Sequence, residues 1–176
     1  MVSVEQDFRL NMNRPITCAF TGHRPHKLPD MFGTGGRLAP PVAKRLDEAV
    51  RGAVSVGYKF FMSGGGLGFD LDAAECVVNV QKAYPFIKLV LALPCRGHTA
   101  KWPRESRGRF DALLASAADI IYVSDSEYSK GCMSKRNMFL VDHSSMIISA
   151  FADVAGGTMQ TLNYAKKANV EIISLI

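Results

Sequence analysis

Ser63-Gly64-Gly65-Gly66-Leu67-Gly68-Phe69-Asp70 stands between a short apolar run, Tyr58 to Met62, and a stretch from about Leu71 to Ala83 that carries Leu71, Ala74, Val77 and Val78 at helical spacing. A β-like run, a glycine-rich turn and an amphipathic helix in that order make a strand-loop-helix unit, which Pro85 closes. The same rhythm extends in both directions. Ile16 to Phe20 reads as a first strand, and Pro40-Pro41 opens a helix with Val42, Leu46, Ala49, Val50, Ala53 and Val54 on one face, ending at Gly57. Ile87 to Leu93, Asp119 to Val123, Ser145 to Phe151 and Val170 to Leu175 read as further strands. Met133 to Asp142 and Gly156 to about Ala168 read as the helices between the last three. Such alternation predicts an α/β fold, a mostly parallel sheet flanked by helices, with ligands beyond the carboxyl ends of the strands.

The rest of the composition narrows the class. The chain has 176 residues, 48% hydrophobic and 21% charged, which fits one globular domain and excludes a disordered or collagen-like chain. Residues 1–14 read as an N-terminal tail and 15–176 as a single domain, with no linker or repeat. No run approaches the roughly 18 apolar residues of a membrane span, and Leu89 to Leu93 stops at Pro94. The N-terminus lacks the basic-then-apolar order of a secretory signal, so the expectation is a cytoplasmic protein with no membrane partner. Cys18, Cys76, Cys95 and Cys132 stand singly, without metal-ligand spacing, and read as small buried hydrophobes; no metal site is expected. A net charge of +5 suggests an anionic partner without naming nucleic acid.

Three strand ends carry candidate chemistry. Thr21-Gly22-His23-Arg24-Pro25 follows the first strand: Gly22 admits a ligand close to the backbone, Thr21 offers a hydroxyl, and Arg24 can bind phosphate or carboxylate bidentately. His23 reads either as a base or as a hydrogen-bonded structural imidazole. In the second motif, Ser63, Gly64, Gly65, Gly66 and Gly68 offer backbone N–H groups to an anion at a helix start. An exposed helix terminus supplies only about 0.3–1 kcal/mol, so phosphate binding there also needs an arginine. Asp70 and Asp72 read either as site carboxylates or as helix-start caps, and Glu75 as a site carboxylate or a paired helix residue. The third motif, Gly156-Gly157-Thr158, opens the last helix; Arg136 and Asn137 are placed to reach the same crevice. Between these, Pro94 to Arg109 breaks the rhythm as a basic loop with Arg96, His98, Lys101, Trp102, Arg104, Arg107 and Arg109.

These motifs, in this order, resemble the YpsA-like family of the SLOG superfamily, which also holds the Lonely Guy phosphoribohydrolases and the DNA-processing protein DprA. Thr-Gly-His-Arg-Pro, Ser-Gly-Gly-Gly-Leu-Gly-Phe-Asp-Leu-Asp-Ala-Ala-Glu, Lys-Arg-Asn-Met-Phe-Leu-Val-Asp and Gly-Gly-Thr carry the resemblance from Ile16 to the C-terminus. It implies a Rossmann-like three-layer fold with about six or seven strands. The pocket it implies falls on Thr21, Gly22, His23, Arg24, Gly64, Gly65, Gly66, Gly68, Asp70, Glu75, Arg136, Asn137, Gly157 and Thr158. Two departures stand out. Gly64-Gly65-Gly66 replaces the Gly-Met-Ala common in relatives, and Thr161 stands where Lonely Guy enzymes carry the glutamate that serves N-glycosidic cleavage.

The leading expectation is a protein that binds a nucleotide or nucleotide-derived ligand, NAD-derived ones included, as a sensor or ligand-binding protein. Phosphate would sit at Gly64 to Gly68 and Gly156 to Thr158, clamped by Arg24 and Arg136. The alternative is a nucleoside-monophosphate phosphoribohydrolase in which Asp70 or Glu75 acts as the catalytic carboxylate. A third reading, single-stranded nucleic-acid binding, would use the basic stretch with Trp102 as a stacking platform. No cofactor is implied, although Mg²⁺ could arrive with a phosphate. The relatives imply a homodimer or larger homo-oligomer.

Overall fold

Six strands form one sheet in which every neighbouring pair is parallel, in the order β4-β3-β2-β1-β5-β6. The structure is a computed structural model and describes residues 13–176. Most of the N-terminal tail expected over 1–14 therefore lies outside the described residues. The elements are β1 (Thr17–Gly22), α1 (Pro40–Ser55), β2 (Phe60–Ser63), α2 (Phe69–Val80), β3 (Lys88–Leu93), α3 (Arg104–Ser116), β4 (Asp119–Tyr122), α4 (Cys132–Asp142), β5 (Met146–Ala150), α5 (Gly157–Lys167) and β6 (Glu171–Ser174). This is the α/β three-layer, Rossmann-like architecture, with six strands and, among the described residues, five α-helices.

Strand side chains alternate between two cores, as period 2 requires. Cys18, Phe20, Phe61, Leu89, Leu91, Leu93 and Ile148 point to the layer of α1, α2 and α3. Ala19, Met62, Val90, Ala92, Ile121 and Ile147 point to α4 and α5. The α1 stripe buries Val42, Leu46, Val50, Ala53 and Val54, and burying each large aliphatic side chain contributes about 1.5–3 kcal/mol before entropy. Phe20 stacks on Phe61 and meets Phe69 edge-on, with centroids 6.2 and 6.4 Å apart. A Cβ at Gly22 would lie 2.4 Å from carbons of the Phe69 ring, so the packing of that ring requires glycine here.

Element ends differ from the sequence pattern where tertiary bonds decide them. β1 runs on to Gly22 because Thr21 and Gly22 pair with Ser149 and Ala150 of β5. β2 begins at Phe60, since the Tyr58 N–H folds back to the Ala53 carbonyl at 3.1 Å and its hydroxyl meets Ser145 Oγ at 2.9 Å. The basic stretch is a loop only as far as Pro103; α3 starts at Arg104, with proline in its usual place at a helix entrance.

The chain steps from β1 through β4 in one direction with its helices on one face, then returns to β5 on the other side of β1 with its helices on the opposite face, as right-handed crossovers require. That reversal opens a crevice at the carboxyl ends of β1 and β5. No helix among the described residues is long and apolar enough to cross a membrane.

Candidate functional site

A crevice of about 310 Å³ opens at this reversal point. The end of β1 and its following turn supply Thr21, Gly22, His23, Arg24, His26 and Lys27; the β2–α2 loop supplies Gly66, Leu67 and Asp70; α4 supplies Met133, Arg136, Asn137 and Leu140; the β5–α5 turn supplies Ala155, Gly156, Gly157 and Thr158. The structure thus brings together eleven of the expected residues: Thr21, Gly22, His23, Arg24, Gly66, Asp70, Arg136, Asn137, Gly156, Gly157 and Thr158. Ser63, Gly64, Gly65, Gly68 and Glu75 do not line it.

The triple-glycine loop is folded onto the protein's own groups. Ser63 Oγ donates to the Asp70 carbonyl at 2.9 Å and accepts the Gly65 N–H at 3.3 Å. The Gly66 N–H donates to Asp70 Oδ2 at 3.0 Å. Gly64 gives its carbonyl to Arg136 Nη1. The Gly65 and Gly66 N–H groups, expected to face an anion, are thus bonded to Ser63 and Asp70. Gly65 and Gly68 hold φ of +63° and +83°, and a Cβ at Gly68 would meet Pro25 Cδ at 2.7 Å, so both positions need glycine for the turn itself.

Arg136 and Asp70 are both buried, with Nη1 and Oδ2 3.7 Å apart. Burial pushes the Asp70 carboxyl above its ordinary range, against the pull of Arg136, the Gly66 N–H and Arg24. Burial also works against the Arg136 charge, yet a guanidinium stays protonated in proteins. Arg136 Nε donates to Asn137 Oδ1 at 2.8 Å, which fixes that amide and leaves its NH₂ as the free end. Arg136 is thus a keystone between helix and loop more than a free clamp.

Free positive charge comes instead from Arg24 and Lys27, which among the described residues have no carboxylate partner. His26 and Lys27 follow the Thr-Gly-His-Arg-Pro motif directly, and this pair of basic side chains was the overlooked signal. Leu67, Met133 and Leu140 add an apolar wall. His23 is buried with its ring stacked on Phe151 at 5.3 Å and Nε2 3.2 Å from the Ala152 carbonyl, anchoring the β5–α5 turn. The N-terminus of α5, at Gly157 and Thr158, faces the crevice, and first-turn N–H groups lack intrahelical partners.

Glu75 lies elsewhere. Its carboxylate takes two bonds of 2.8 Å from Arg109 and one of 2.9 Å from Arg37, while Asp72 takes Arg109 and the Leu38 N–H. Burial raises the Glu75 pKa, but the Arg109 bonds and charge, with Arg37, outweigh it and hold the carboxyl below its ordinary value. This cluster ties α2 to α3 and to the segment ahead of α1. Thr161 is 2% exposed, with Oγ1 donating to the Gly157 carbonyl at 2.8 Å.

The basic stretch is engaged in part, while Lys101, Arg104 and Arg107 are exposed. Arg96 lies over the Tyr122 ring at 4.3 Å, Arg109 is in the carboxylate cluster, and Trp102 is buried against His98 and Phe110. His98 Nε2 stands 3.0 Å from the Gly65 carbonyl, and burial lowers the His98 pKa, which favours a neutral ring. Cys18, Cys95 and Cys132 are buried and Cys76 half-buried, all as free thiols. Among the described residues no three His, Cys, Asp or Glu side chains converge to hold a metal ion.

Comparison with known proteins bears on this geometry. The family model described as the YspA SLOG family matches residues 18–172. An uncharacterized SPbeta prophage-derived protein, YoqJ, of Bacillus subtilis is 33% identical over 118 residues, covering 61% of this chain and 69% of its own. A UPF0398 protein of Halalkalibacterium halodurans is 25% identical over 149 residues, covering 84% of this chain and 78% of its own. Among solved structures, DNA processing protein A from Helicobacter pylori, described by its single-stranded DNA binding mode, superposes with a TM-score of 0.64 at 21% identity, covering 94% of this chain and 67% of its own. At that identity the likeness concerns the fold.

Proposed function

This chain belongs to the YspA SLOG family, and from that premise we propose that its crevice binds a phosphate-bearing nucleotide or nucleotide-derived ligand without cleaving it. The protein acts as a sensor or ligand-binding protein. The observation that carries this reading is the division of labour among charges at the crevice. Arg24, Lys27 and the α5 N-terminus present positive charge and N–H donors, whereas the lining carboxylate, Asp70, already accepts from Gly66 and faces Arg136. The phosphate is held between Arg24, Lys27 and Gly156 to Thr158, rather than at the Gly64 to Gly68 loop, whose Gly65 and Gly66 N–H groups are bonded to Ser63 and Asp70.

Absence of cleavage follows from the same inventory. An oxocarbenium-like sugar needs a carboxylate free to stabilise it. Glu75 is held by two arginines outside the crevice, and Thr161 offers only a hydroxyl that is bonded to its own helix. The burial of Trp102 leaves the basic stretch without the stacking ring on which a nucleic-acid reading rested.

The test is a thermal-shift screen against nucleoside mono-, di- and triphosphates, cyclic nucleotides, NAD and ADP-ribose, with chromatography of every hit. A ligand at 100 times its Kd stabilises the fold by about 2.7 kcal/mol. Stabilisation with the ligand recovered intact is expected; released base, or no shift with any nucleotide, would overturn the reading.

A further inference from the structure

The cysteines stand singly in the sequence, and the fold brings two of them together. Cys95 follows the end of β3 and Cys132 is the first residue of α4; they are 37 residues apart in the chain, and their sulfurs lie 3.8 Å apart. Both side chains are buried. The other two are occupied elsewhere. Cys18 in β1 turns its thiol to the Ala19 carbonyl, and Cys76 on α2 sits among the charges of Asp47, Arg51 and Asp72. Cys95 and Cys132 therefore face one another without a competing thiol among the described residues.

The crevice does not use them, since neither cysteine lines it. No third ligand joins them either, because among the described residues no three His, Cys, Asp or Glu side chains converge. What the pair has is an approach from solvent. The Ser124 N–H donates to the Pro94 carbonyl at 3.2 Å, Glu127 bridges to Arg96, and the Cys132 N–H donates to the Ser129 carbonyl at 3.2 Å. The connection from β4 to α4 thus runs beside both cysteines, and its residues 125–131 are exposed. Gly131, at φ +87° with open space where a Cβ would stand, joins it to Cys132. Exposed chain held by a few backbone bonds opens more readily than packed core, so a reagent of the size of water can reach the sulfurs.

The two thiols have different surroundings. Cys132 opens a helix whose first-turn N–H groups lack intrahelical partners, and the Arg136 charge one turn on acts upon it. Burial, with the Cys132 contact, pushes the Cys95 thiol up to about 11, so it stays protonated until its partner has reacted. We propose that Cys95 and Cys132 are a redox-active pair, which a peroxide converts to a reversible disulfide that ties α4 to the end of β3. Cys132 attacks the peroxide: the O–O bond breaks, one oxygen stays on sulfur as a sulfenic acid, and the other leaves with the thiol proton as water. Cys95 then attacks that sulfur, the S–S bond forms, the S–O bond breaks, and the hydroxyl leaves with the Cys95 proton as a second water. Two thiols lose two electrons, and the peroxide gains them. Because α4 also carries Met133, Arg136 and Asn137 in the crevice wall, the bond fixes the helix that presents them. The chemistry is that of the thiols alone and holds whatever the crevice takes.

The experiment treats the folded full chain with hydrogen peroxide in slight excess, blocks the remaining thiols by alkylation and maps the tryptic peptides by mass. Loss of two hydrogens, one peptide linking Cys95 to Cys132, alkylated Cys18 and Cys76, and reversal by dithiothreitol are expected. The closed loop should raise the thermal midpoint by about 5–10 °C. Cys95→Ala should leave a sulfenic acid on Cys132 that dimedone traps, and Cys132→Ala should leave Cys95 unmodified; the wild-type map needs neither variant to fold. Oxygen adducts without a link, a link to Cys18 or Cys76 or between chains, or a disulfide that forms only in urea would overturn the proposal. A linked chain with an unchanged midpoint would overturn the tie between α4 and β3.

Discussion

The Arg136 guanidinium stands 3.7 Å from the Asp70 carboxylate, both side chains buried, and so joins α4 in one helical layer to α2 in the other across the carboxyl edge of the sheet. The pair organises the crevice. It fixes the triple-glycine loop through Gly64 and Gly66 and the Asn137 amide through Nε.

Breaking that pair from one side leaves a buried charge alone, which costs about 3–5 kcal/mol. Arg136→Met is therefore expected to lose stability on that scale in urea unfolding. Asp70→Asn keeps an acceptor for the Gly66 N–H but leaves the buried Arg136 cation without its carboxylate, so a loss on the same scale is expected. A neutral Arg136→Met would contradict the keystone role.

Glu75 should matter to stability in acid and not to ligand affinity. Its folded carboxyl is held below the ordinary value of 4.5, so its contribution is fully present above that pH and is lost as pH falls through the depressed folded value. Glu75→Gln is expected to flatten the acid limb of the stability curve measured by urea unfolding between pH 6 and pH 3. An unchanged limb would show that Arg109 and Arg37 do not hold this carboxylate.

Two glycine substitutions should differ in sign. Gly68→Ala forces a side chain into φ +83° and against Pro25, and a loss of about 1–3 kcal/mol is expected. Gly108→Ala lies within α3 with open space around its Cβ and should gain about 0.5–1 kcal/mol. Thermal unfolding of the two variants separates a required turn from a tolerated glycine.

The succession of strands and helices follows from features that are local in sequence: apolar runs, Pro40-Pro41, Pro85 and the glycine clusters mark the elements. What was not legible depends on pairs distant in the chain. Arg109 and Glu75 are 34 residues apart, so a basic loop and a candidate catalytic carboxylate turned out to be partners in one ion cluster. Trp102 stands in a polar stretch and gives no periodic sign of the pocket formed by His98 and Phe110 that buries it. Asp70 was legible as a residue near the strand ends, but not as the acceptor of the Gly66 N–H.

Arg24 and Lys27 carry the free charge, and charge-assisted bonds are worth about 1.5–3 kcal/mol. Arg24→Ala should weaken AMP binding by roughly ten- to a hundredfold. Lys27, more exposed, should show a smaller loss that fades with salt. Calorimetric titration in low and in 0.5 M salt tests both; Arg24→Ala with wild-type affinity would remove the clamp.

The most direct measurement is calorimetric titration of wild-type protein with AMP and ADP-ribose, followed by chromatography of the cell contents after prolonged incubation. Saturable binding at one site per chain, with both nucleotides recovered intact, is the predicted result. Free adenine or ribose 5-phosphate in the cell, or no heat with either nucleotide, would contradict a crevice that binds nucleotides without cleaving them.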